Sequence, residues 1–310
     1  SVVDLPRYWP RGLGVGSERD WILENITAGI ARNGQWRAEV EASADLAQLR
    51  VTGLAGTLDV VDATVHWLRP IAPATGATGT VTFGLEEISL KVTGGRQTGG
   101  PAGQQAVTAK EGLIRFLFPP GGQDRAEMSF ELAGPIPQAV AIIQHPRLKL
   151  FDRRPFPVKD PTGGFEGRLT VAFPLLADLP VEALRIGARV RLRDVRINDV
   201  LFSRPLERGQ AELTVDTDGL RVAGTGTLGG INARIGVEMD FRAGPPTQVV
   251  MRETVSARTD AATIAALGLP ADELATGPIG LEVRTERRRS GQGRATIRAD
   301  LRDTRMEITP

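Results

Sequence analysis

The sequence of 310 residues contains no cysteine, which excludes disulfide frameworks, thiolate nucleophiles and cysteine-ligated zinc or iron–sulfur sites. It has only two histidines, His66 and His145, so most histidine-based catalytic and metal sites are disfavoured as well. Charge of one sign is not in excess, because 38 Lys and Arg residues face 37 Asp and Glu residues. That balance argues against a general nucleic-acid binder. We therefore expect neither an enzyme nor a cofactor or metal site.

Long apolar runs are absent too. The longest candidate, Ala139–Ile143, is far shorter than the about 18–20 apolar residues that a membrane-spanning helix needs. The chain begins at Ser1, without an initiator methionine or an apolar signal segment. We expect it to be a piece of a longer or processed protein, whose membrane anchor and targeting signal lie outside these residues.

The dominant pattern is alternation of apolar and polar residues with a period of two, which is typical of β-strands whose two faces meet different surroundings. The clearest segments are Arg125–Leu132, Arg185–Arg193, Gln210–Asp216, Ile235–Arg242 and Arg294–Arg302. Weaker alternation runs through Trp36–Val40, Val81–Leu85 and Leu169–Phe173. Parallel sheets that are buried on both faces read instead as continuous apolar runs. The pattern predicts a mainly β protein built from antiparallel strands.

Helical patterns are few and short. The first follows a capping-box-like pattern in Ser17–Asp20, and its apolar face would consist of Trp21, Ile22, Ile26 and Ile30. A second helix is predicted over Pro135–Gln144, because prolines suit a first helical turn. A third is predicted over Thr259–Leu267, with Thr259 or Asp260 as its cap.

Turn signals and a short repeat punctuate the strands. Chain reversals are predicted at Gly121-Gly122, Gly163-Gly164, Asp218-Gly219 and Gly229-Gly230. The sequence of Leu192–Ile197 recurs in Leu301–Met306 and, more faintly, in Leu58–Val65. In each copy a strand is expected to bend at an aspartate and to resume its alternation. Such repeated meanders suggest a sheet that grows by adding units, and chance similarity in an arginine-rich chain is the alternative.

Several features invite a functional interpretation, and each has a structural alternative. His66 and His145 stand without a nucleophile or second ligand at a motif spacing, which favours packing or capping roles. Asp216–Gly219 resembles part of a calcium loop, but the other ligands are missing and a hairpin turn fits better. Gly224–Gly230 lacks the lysine and the helix of a phosphate loop, so close strand packing is favoured. Arg287–Arg289 could meet phosphate headgroups or acidic partners, or form a solvated hairpin tip.

The apolar side of the predicted sheet is the remaining feature. A sheet with one apolar face must cover that face with a second sheet, with helices, with a partner or with a ligand. Aromatic residues make up 5% of the chain, and the alternating positions hold aliphatic side chains that suit both acyl chains and an ordinary sandwich core. The pattern alone favours the closed sandwich.

A series of stretches in chain order resembles a known family. These stretches are Tyr8–Pro10, Trp21–Ile26 with Gly29, Gly134–Pro137, Leu175–Glu182, Val215–Leu220 with Gly224, and Ala299–Leu301. On them the chain resembles the AsmA-like family of Gram-negative bacteria, the group that includes YhdP and TamB. None of the stretches is catalytic, so the resemblance transfers no active-site residue. It implies a long twisted antiparallel sheet that is curled into an open groove, with a polar exterior and a few short helices.

The resemblance also implies a function and a place. The chain would be an internal segment of a periplasmic protein that carries phospholipid between the inner and outer membranes, with an N-terminal inner-membrane anchor outside this segment. Residues 1–150 would form an N-terminal groove segment with two short helices, and residues 151–310 a C-terminal groove repeat segment. The alternative is a closed β-sandwich that serves as a scaffold or interaction module of the cell envelope and carries no lipid.

We expect phospholipid acyl chains to contact the apolar alternating positions of the strands. The expected lining residues are Met128, Phe130, Leu132, Leu169, Val171, Phe173, Ile186, Val190, Leu192, Leu213, Val215, Ile235, Val237, Met239 and Ile297. Headgroups would stay in solvent at the open side of the groove, where arginine side chains can touch phosphate transiently.

Overall fold

The computed structural model describes residues 1, 4, 22–43, 49–99, 105–148, 158–176, 183–201, 204–266 and 275–306. Strands dominate this part of the chain, and they form one antiparallel sheet of 14 strands together with a separate 2-stranded sheet. The predictions of a mainly β fold, of antiparallel pairing and of few helices are confirmed.

The strands follow one another in a meander. The first six are β1 (Ile26–Ala42), β2 (Leu49–Val65), β3 (Ala74–Gly84), β4 (Glu87–Gln97), β5 (Val107–Leu117) and β6 (Arg125–Pro135). The next six are β7 (Thr162–Pro174), β8 (Arg185–Leu201), β9 (Arg204–Val215), β10 (Gly219–Leu228), β11 (Ile231–Asp240) and β12 (Val249–Asp260). The last are β13 (Ala275–Thr276), β14 (Pro278–Arg288), β15 (Gly293–Asp300) and β16 (Arg305–Met306). Strand β13 pairs with β16, and β14 therefore lies next to β12 in the large sheet.

The chain divides into two compact units. Unit 1 comprises Ser1–Pro155 and Arg168–Ile186, and unit 2 comprises Phe156–Gly167 and Gly187–Pro310. Unit 1 contains β1 to β6, and unit 2 contains β9 to β16, with β7 and β8 divided between the units. The assignment of residues 1–150 and 151–310 to separate groove segments stays a prediction.

Helices are short and follow directly on strands. Helix α1 (Ile136–Ile143) continues from β6, as predicted, and a 3₁₀ turn follows at Pro146–Leu148. Helix α2 (Ala261–Ala266) continues from β12, and the Asp260 carboxylate caps it by accepting a hydrogen bond of 2.7 Å from the Thr263 backbone N–H. A cap at Asp260 was one of the two predicted, and it satisfies a backbone donor that the first helical turn leaves free.

The predicted first helix is largely wrong. Residues 22–25 are helical, but Ile26 and Ile30 lie in β1, where they pair with Val65 and Val61 of β2. Pairing along a 17-residue strand outweighs a short helical periodicity, because local pattern is a weak prior against tertiary context. The proposed capping residues Ser17–Asp20 lie outside the described residues.

The repeated sequence marks places where the alternation changes phase. Asp194 in β8 has a φ of 51°, and the register with β9 shifts between Leu192 and Val195. Asp62 in β2 has a φ of 55° and stands at the equivalent shift before Ala63. Such β-bulges add one residue to a strand and bend it. The copy at Asp303 differs, because β15 ends before it and the chain turns there.

Most of the predicted reversals are confirmed. Gly229 and Gly230 have positive φ values of 56° and 88° and form the two-residue turn between β10 and β11. At the β9–β10 reversal, the Asp216 carboxylate accepts backbone hydrogen bonds from Asp218 and Gly219 at 2.8 and 2.9 Å, so this segment is a turn. The reversal predicted at Gly163-Gly164 is wrong, since both residues lie within β7.

Many of the buried residues lie where the helices meet the ends of strands, although the most deeply buried one, Ala126, lies at the start of β6. In unit 2, Ala261 and Ile264 of α2 pack with Ala275 and Ile279, with exposures of 3–6%. In unit 1, Gln138 of α1 is buried, and its side chain accepts a hydrogen bond of 2.8 Å from the Gly99 backbone N–H. Across the described residues, no large side chain is completely buried. Burial is therefore concentrated at the ends of the strands.

Two phenylalanines in unit 1 lie over glycines of neighbouring strands. The ring of Phe130 in β6 covers Gly112 of β5, and the ring of Phe83 in β3 covers Gly56 of β2. A Cβ at either glycine would overlap the ring. The pairs fill the space that a missing side chain leaves in a strand and help to fix the register.

Replacing Gly112 by alanine tests this packing. The Gly112→Ala variant should lower the free energy of unfolding by about 1–3 kcal/mol, because Phe130 has to leave its position. Gly94→Ala is the matched control, since nothing lies within 4 Å of its added Cβ. Urea unfolding followed by circular dichroism measures both. Equal effects of the two substitutions would show that the Phe130–Gly112 contact does not stabilise the sheet.

Strands β11 and β15 end in the same aspartate clamp. The Asp240 carboxylate accepts hydrogen bonds from the backbone N–H of Arg242 at 3.0 Å and from its Nε at 2.9 Å. Asp300 binds Arg302 in the same way, at 3.2 and 2.9 Å. The hydrogen bonds from Arg242 and Gln248 hold the pKa of Asp240 far below its usual range. Those from Arg302 lower the pKa of Asp300 to about 2.

These clamps predict a loss of stability in acid. Because the folded-state pKa of both carboxyl groups lies below the ordinary 3.8, the stabilisation is complete above about pH 4 and is lost as the pH falls towards 2. Thermal unfolding between pH 5 and 2 measures the effect. Asp300→Asn and Arg302→Gln should each flatten the same part of the pH profile. A wild-type profile that neither substitution changes would contradict the assignment to this clamp.

Candidate functional site

The register between strands of unit 2 brings apolar residues into rows on one side of the sheet. Residues directly opposite one another in an antiparallel pair point to the same side. Val190 of β8 pairs with Leu213 of β9, and Leu213 pairs with Val222 of β10. Val222 in turn pairs with Val237 of β11. Alternation within each strand is therefore carried in phase across neighbouring strands.

We define the unit 2 apolar face by three such rows. The first row is Ala188, Val215, Leu220, Met239, Met251, Arg287 and Gly293. The second is Val190, Leu213, Val222, Val237, Glu253, Thr285 and Ala295. The third is Leu192, Ala211, Gly224, Ile235, Val255, Val283 and Ile297. The rows bring together these predicted lining residues: Val190, Leu192, Leu213, Val215, Ile235, Val237, Met239 and Ile297.

Unit 1 has an apolar face of the same kind. Its rows contain Phe83, Ile88, Phe116 and Ala126, then Leu58, Val81, Leu90, Ile114 and Met128, then Val60, Val92 and Phe130. Of the predicted lining residues, Met128 and Phe130 belong to these rows, and Leu132 follows them on the same side of β6. Trp36 of the edge strand β1 pairs with Gly56 beside Phe83 and is 72% exposed.

The remaining predicted lining residues lie in β7 and at the start of β8. Arg168 of β7 donates a hydrogen bond of 2.6 Å to Glu131, which is on the polar side of β6. Because side chains alternate along a strand, Leu169, Val171 and Phe173 lie on the side opposite to Arg168. Ile186 occupies an apolar alternating position of β8 and belongs to unit 1.

The predicted lining residues are only partly covered. All of them are half-buried except Ile297, which is 67% exposed, and none is buried. Over Gln210–Val215 and Leu220–Thr225 the exposure itself alternates, with the residues of the apolar rows half-buried and those between them exposed. The only other sheet among the described residues is the short β13–β16 pair. In this part of the chain, the apolar faces are therefore not sealed by a second large sheet.

The opposite side of the sheet carries charges of both signs. Arg191 pairs with Glu212 at 3.8 Å, and Arg252 pairs with Glu286 at 3.1 Å, each across neighbouring strands of unit 2. In unit 1, two hydrogen bonds from Arg115 at 2.8 and 3.0 Å lower the pKa of Glu87. Exposed pairs of this kind stabilise little individually, but they favour one strand register over another.

Sequence reasoning missed several members of the apolar faces. Val222, Val255 and Val283 complete the rows of unit 2, and Leu90 does so in unit 1. Their strands contain glycines or charged residues that interrupt the alternation, so the period of two is weak there. Only the register with a clearly alternating neighbour assigns them to the apolar side.

The other candidate sites acquire no catalytic surroundings in the described residues. The Nε2 of His66 lies 3.2 Å from the Thr27 hydroxyl, and the Nδ1 of His145 accepts a hydrogen bond of 3.1 Å from the Arg147 backbone. Neither histidine has a serine or aspartate among these partners. No group of three or more potential metal ligands occurs within the described ranges. Among the described helices, none has the length and apolar character needed to cross a bilayer.

Glycines of the former phosphate-loop candidate serve strand packing. Gly224 lies in β10, where an added Cβ would overlap the backbone of Gln210 and Ala211. Gly226 is equally close to the Leu206 side chain. Close backbone approach is thus the reason for glycine here, as predicted.

No family model, no curated protein and no solved structure matches the chain.

Proposed function

We propose that the chain binds phospholipid acyl chains along the apolar faces of its sheet and is an internal segment of a periplasmic protein that carries phospholipid between two membranes. The observation that carries this proposal is the set of partly covered aliphatic rows opposite a charged surface. A soluble protein rarely leaves so long an apolar surface without an occupant. The periplasmic place and the anchor outside this segment rest on the resemblance to the AsmA-like family.

The chemistry of the faces suits an acyl chain. Each methylene removed from water contributes about 0.8 kcal/mol, so a lipid tail resists leaving for solvent. Aliphatic neighbours such as Leu213, Val222 and Val237 repeat along the second row, so successive positions offer nearly equal binding energy. A chain can therefore slide from one position to the next without a large barrier and without an energy source in this segment.

We also propose that the sheet curls into an open groove. Strong curling is not observed in the sheets of the described residues, and bulges such as those at Asp62 and Asp194 are the places where strands bend. A scaffold or interaction module without lipid cargo is the alternative, and it would bury the same faces against a protein partner. Both alternatives leave the polar side in solvent, so the occupant of the apolar side distinguishes them.

A double substitution on the second row tests the function. Val190→Asp with Val237→Asp places two carboxylates on the unit 2 apolar face, where desolvation of charge opposes lipid binding. We expect the purified wild-type chain to retain phospholipid that native mass spectrometry detects, and the double variant to lose it.

The matched control is Thr214→Asp with Thr225→Asp, on exposed positions of the polar side of β9 and β10. This variant should retain lipid. Circular dichroism establishes that both variants keep their strand content. A folded Val190→Asp, Val237→Asp variant with undiminished lipid, or a wild-type chain that takes up none from vesicles, would refute the proposal.

A further inference from the structure

Three polar residues interrupt the unit 2 apolar face, and they are neighbours. Glu253 and Thr285 occupy the second row, and Arg287 occupies the first. Every other residue of the three rows is aliphatic, a methionine, an alanine or a glycine. Because the polar residues come from β12 and β14, which pair directly, they form one patch and not scattered exceptions.

The geometry within this patch leaves the two ionic groups available. Thr285 donates a hydrogen bond of 2.6 Å from its hydroxyl to the half-buried Glu253 carboxylate. Arg287 is directly opposite Met251, and its guanidinium contacts the Met251 sulfur. Met251 is accordingly 8% exposed, because the arginine side chain covers it. Arg287 and Glu253 are diagonal neighbours, a spacing of about 7–8 Å between positions in an antiparallel pair.

Neither charged group of the patch has an ion-pair partner among the described residues. On the polar side of the same two strands, Arg252 and Glu286 do form such a pair, at 3.1 Å. The Glu253 carboxylate is half-buried on an apolar surface and has a single hydroxyl donor, so its solvation is incomplete. Arg287 is exposed, so its guanidinium is accessible to an anion. A ligand that carries one anionic and one cationic group satisfies both.

The patch lies beside the free edge of the sheet. Strand β15 is the last in the strand order, and its residues in these two rows are Gly293 and Ala295, both exposed. Gly293 and Ala295 are too small to shield the patch from solvent. A headgroup can therefore reach the patch from the edge while its acyl chains lie on the aliphatic rows.

We propose that this patch recognises the headgroup of a zwitterionic phospholipid with a primary ammonium group, that is, the phosphoethanolamine chemistry. Arg287 binds the phosphate, for which the guanidinium is well suited. Glu253, oriented by Thr285, accepts hydrogen bonds from the ammonium group. A quaternary ammonium group is bound in proteins chiefly by aromatic side chains, and the three rows contain none. This inference rests on the proposed function and adds the lipid class to it.

Competition between lipids tests the inference. The chain is incubated with vesicles that contain equal amounts of phosphatidylethanolamine, phosphatidylglycerol and diacylglycerol, repurified, and analysed for bound lipid by mass spectrometry. We expect wild type to prefer phosphatidylethanolamine over phosphatidylglycerol by about tenfold, the ratio that one charge-assisted hydrogen bond supplies. Glu253→Gln should abolish that preference by lowering the amount of bound phosphatidylethanolamine. Arg287→Gln should raise the share of diacylglycerol.

The controls are Glu282→Gln and Arg284→Gln, which remove charges from the polar side of β14. They should leave the lipid ratios as in wild type. Uptake of all three lipids in equal amounts by wild type would overturn the headgroup site and leave the proposed function standing. Absence of any uptake would overturn both. If Glu253→Gln and Arg287→Gln lower the melting temperature without changing the ratios, the two residues only stabilise the sheet and the inference is wrong.

Discussion

Cross-strand register is the constraint on which the rest of the structure depends. Side chains alternate along a strand with a period of two, so a slip of one residue between neighbours would turn every apolar side chain of a strand to the solvated side. Close ring–glycine contacts and charge pairs on the polar side both oppose such a slip. In the observed register the Phe130 ring lies over Gly112, and Arg115 donates a hydrogen bond to Glu87. The apolar faces exist because these contacts keep many strands in phase.

The β-bulges keep apolar side chains on the same side of the sheet where a strand bends. At Asp194 one additional residue enters β8, and the apolar positions change from even numbers, ending at Leu192, to odd numbers, starting at Val195. Val195 is 5% exposed, so the change of phase delivers an apolar side chain to the buried end of the sheet. The repeated sequence around this aspartate therefore has a physical meaning. In β2 and β8 it coincides with a bend and with the change of phase that the bend requires, whereas the copy at Asp303 lies in a turn.

Cross-strand register also explains which parts of the structure could be predicted from the sequence. Strong alternation identified β6, β8, β9, β11 and β15, because a half-buried strand needs no partner information to be recognised. The helix expected around Ile26 failed because pairing with β2 decides that segment, and pairing partners are not visible in a local window. The polar patch was invisible for a related reason. Glu253 and Arg287 are far apart in sequence, and only the register of β12 with β14 makes them neighbours.

Partial burial sets the balance between holding and releasing a ligand on such a surface. In a sealed core the side chains pack against one another and leave no space for an acyl chain. A fully exposed apolar face would favour aggregation, as would the free edges of the sheet. Half-buried positions such as Val190 and Val237 retain apolar area that a ligand can still remove from water. Because the aliphatic rows are chemically uniform, an acyl chain would bind with nearly the same free energy at each strand. In the proposed function, a position at which lipid stops must therefore depend on polar groups, and on the unit 2 apolar face those groups lie together beside the edge strand.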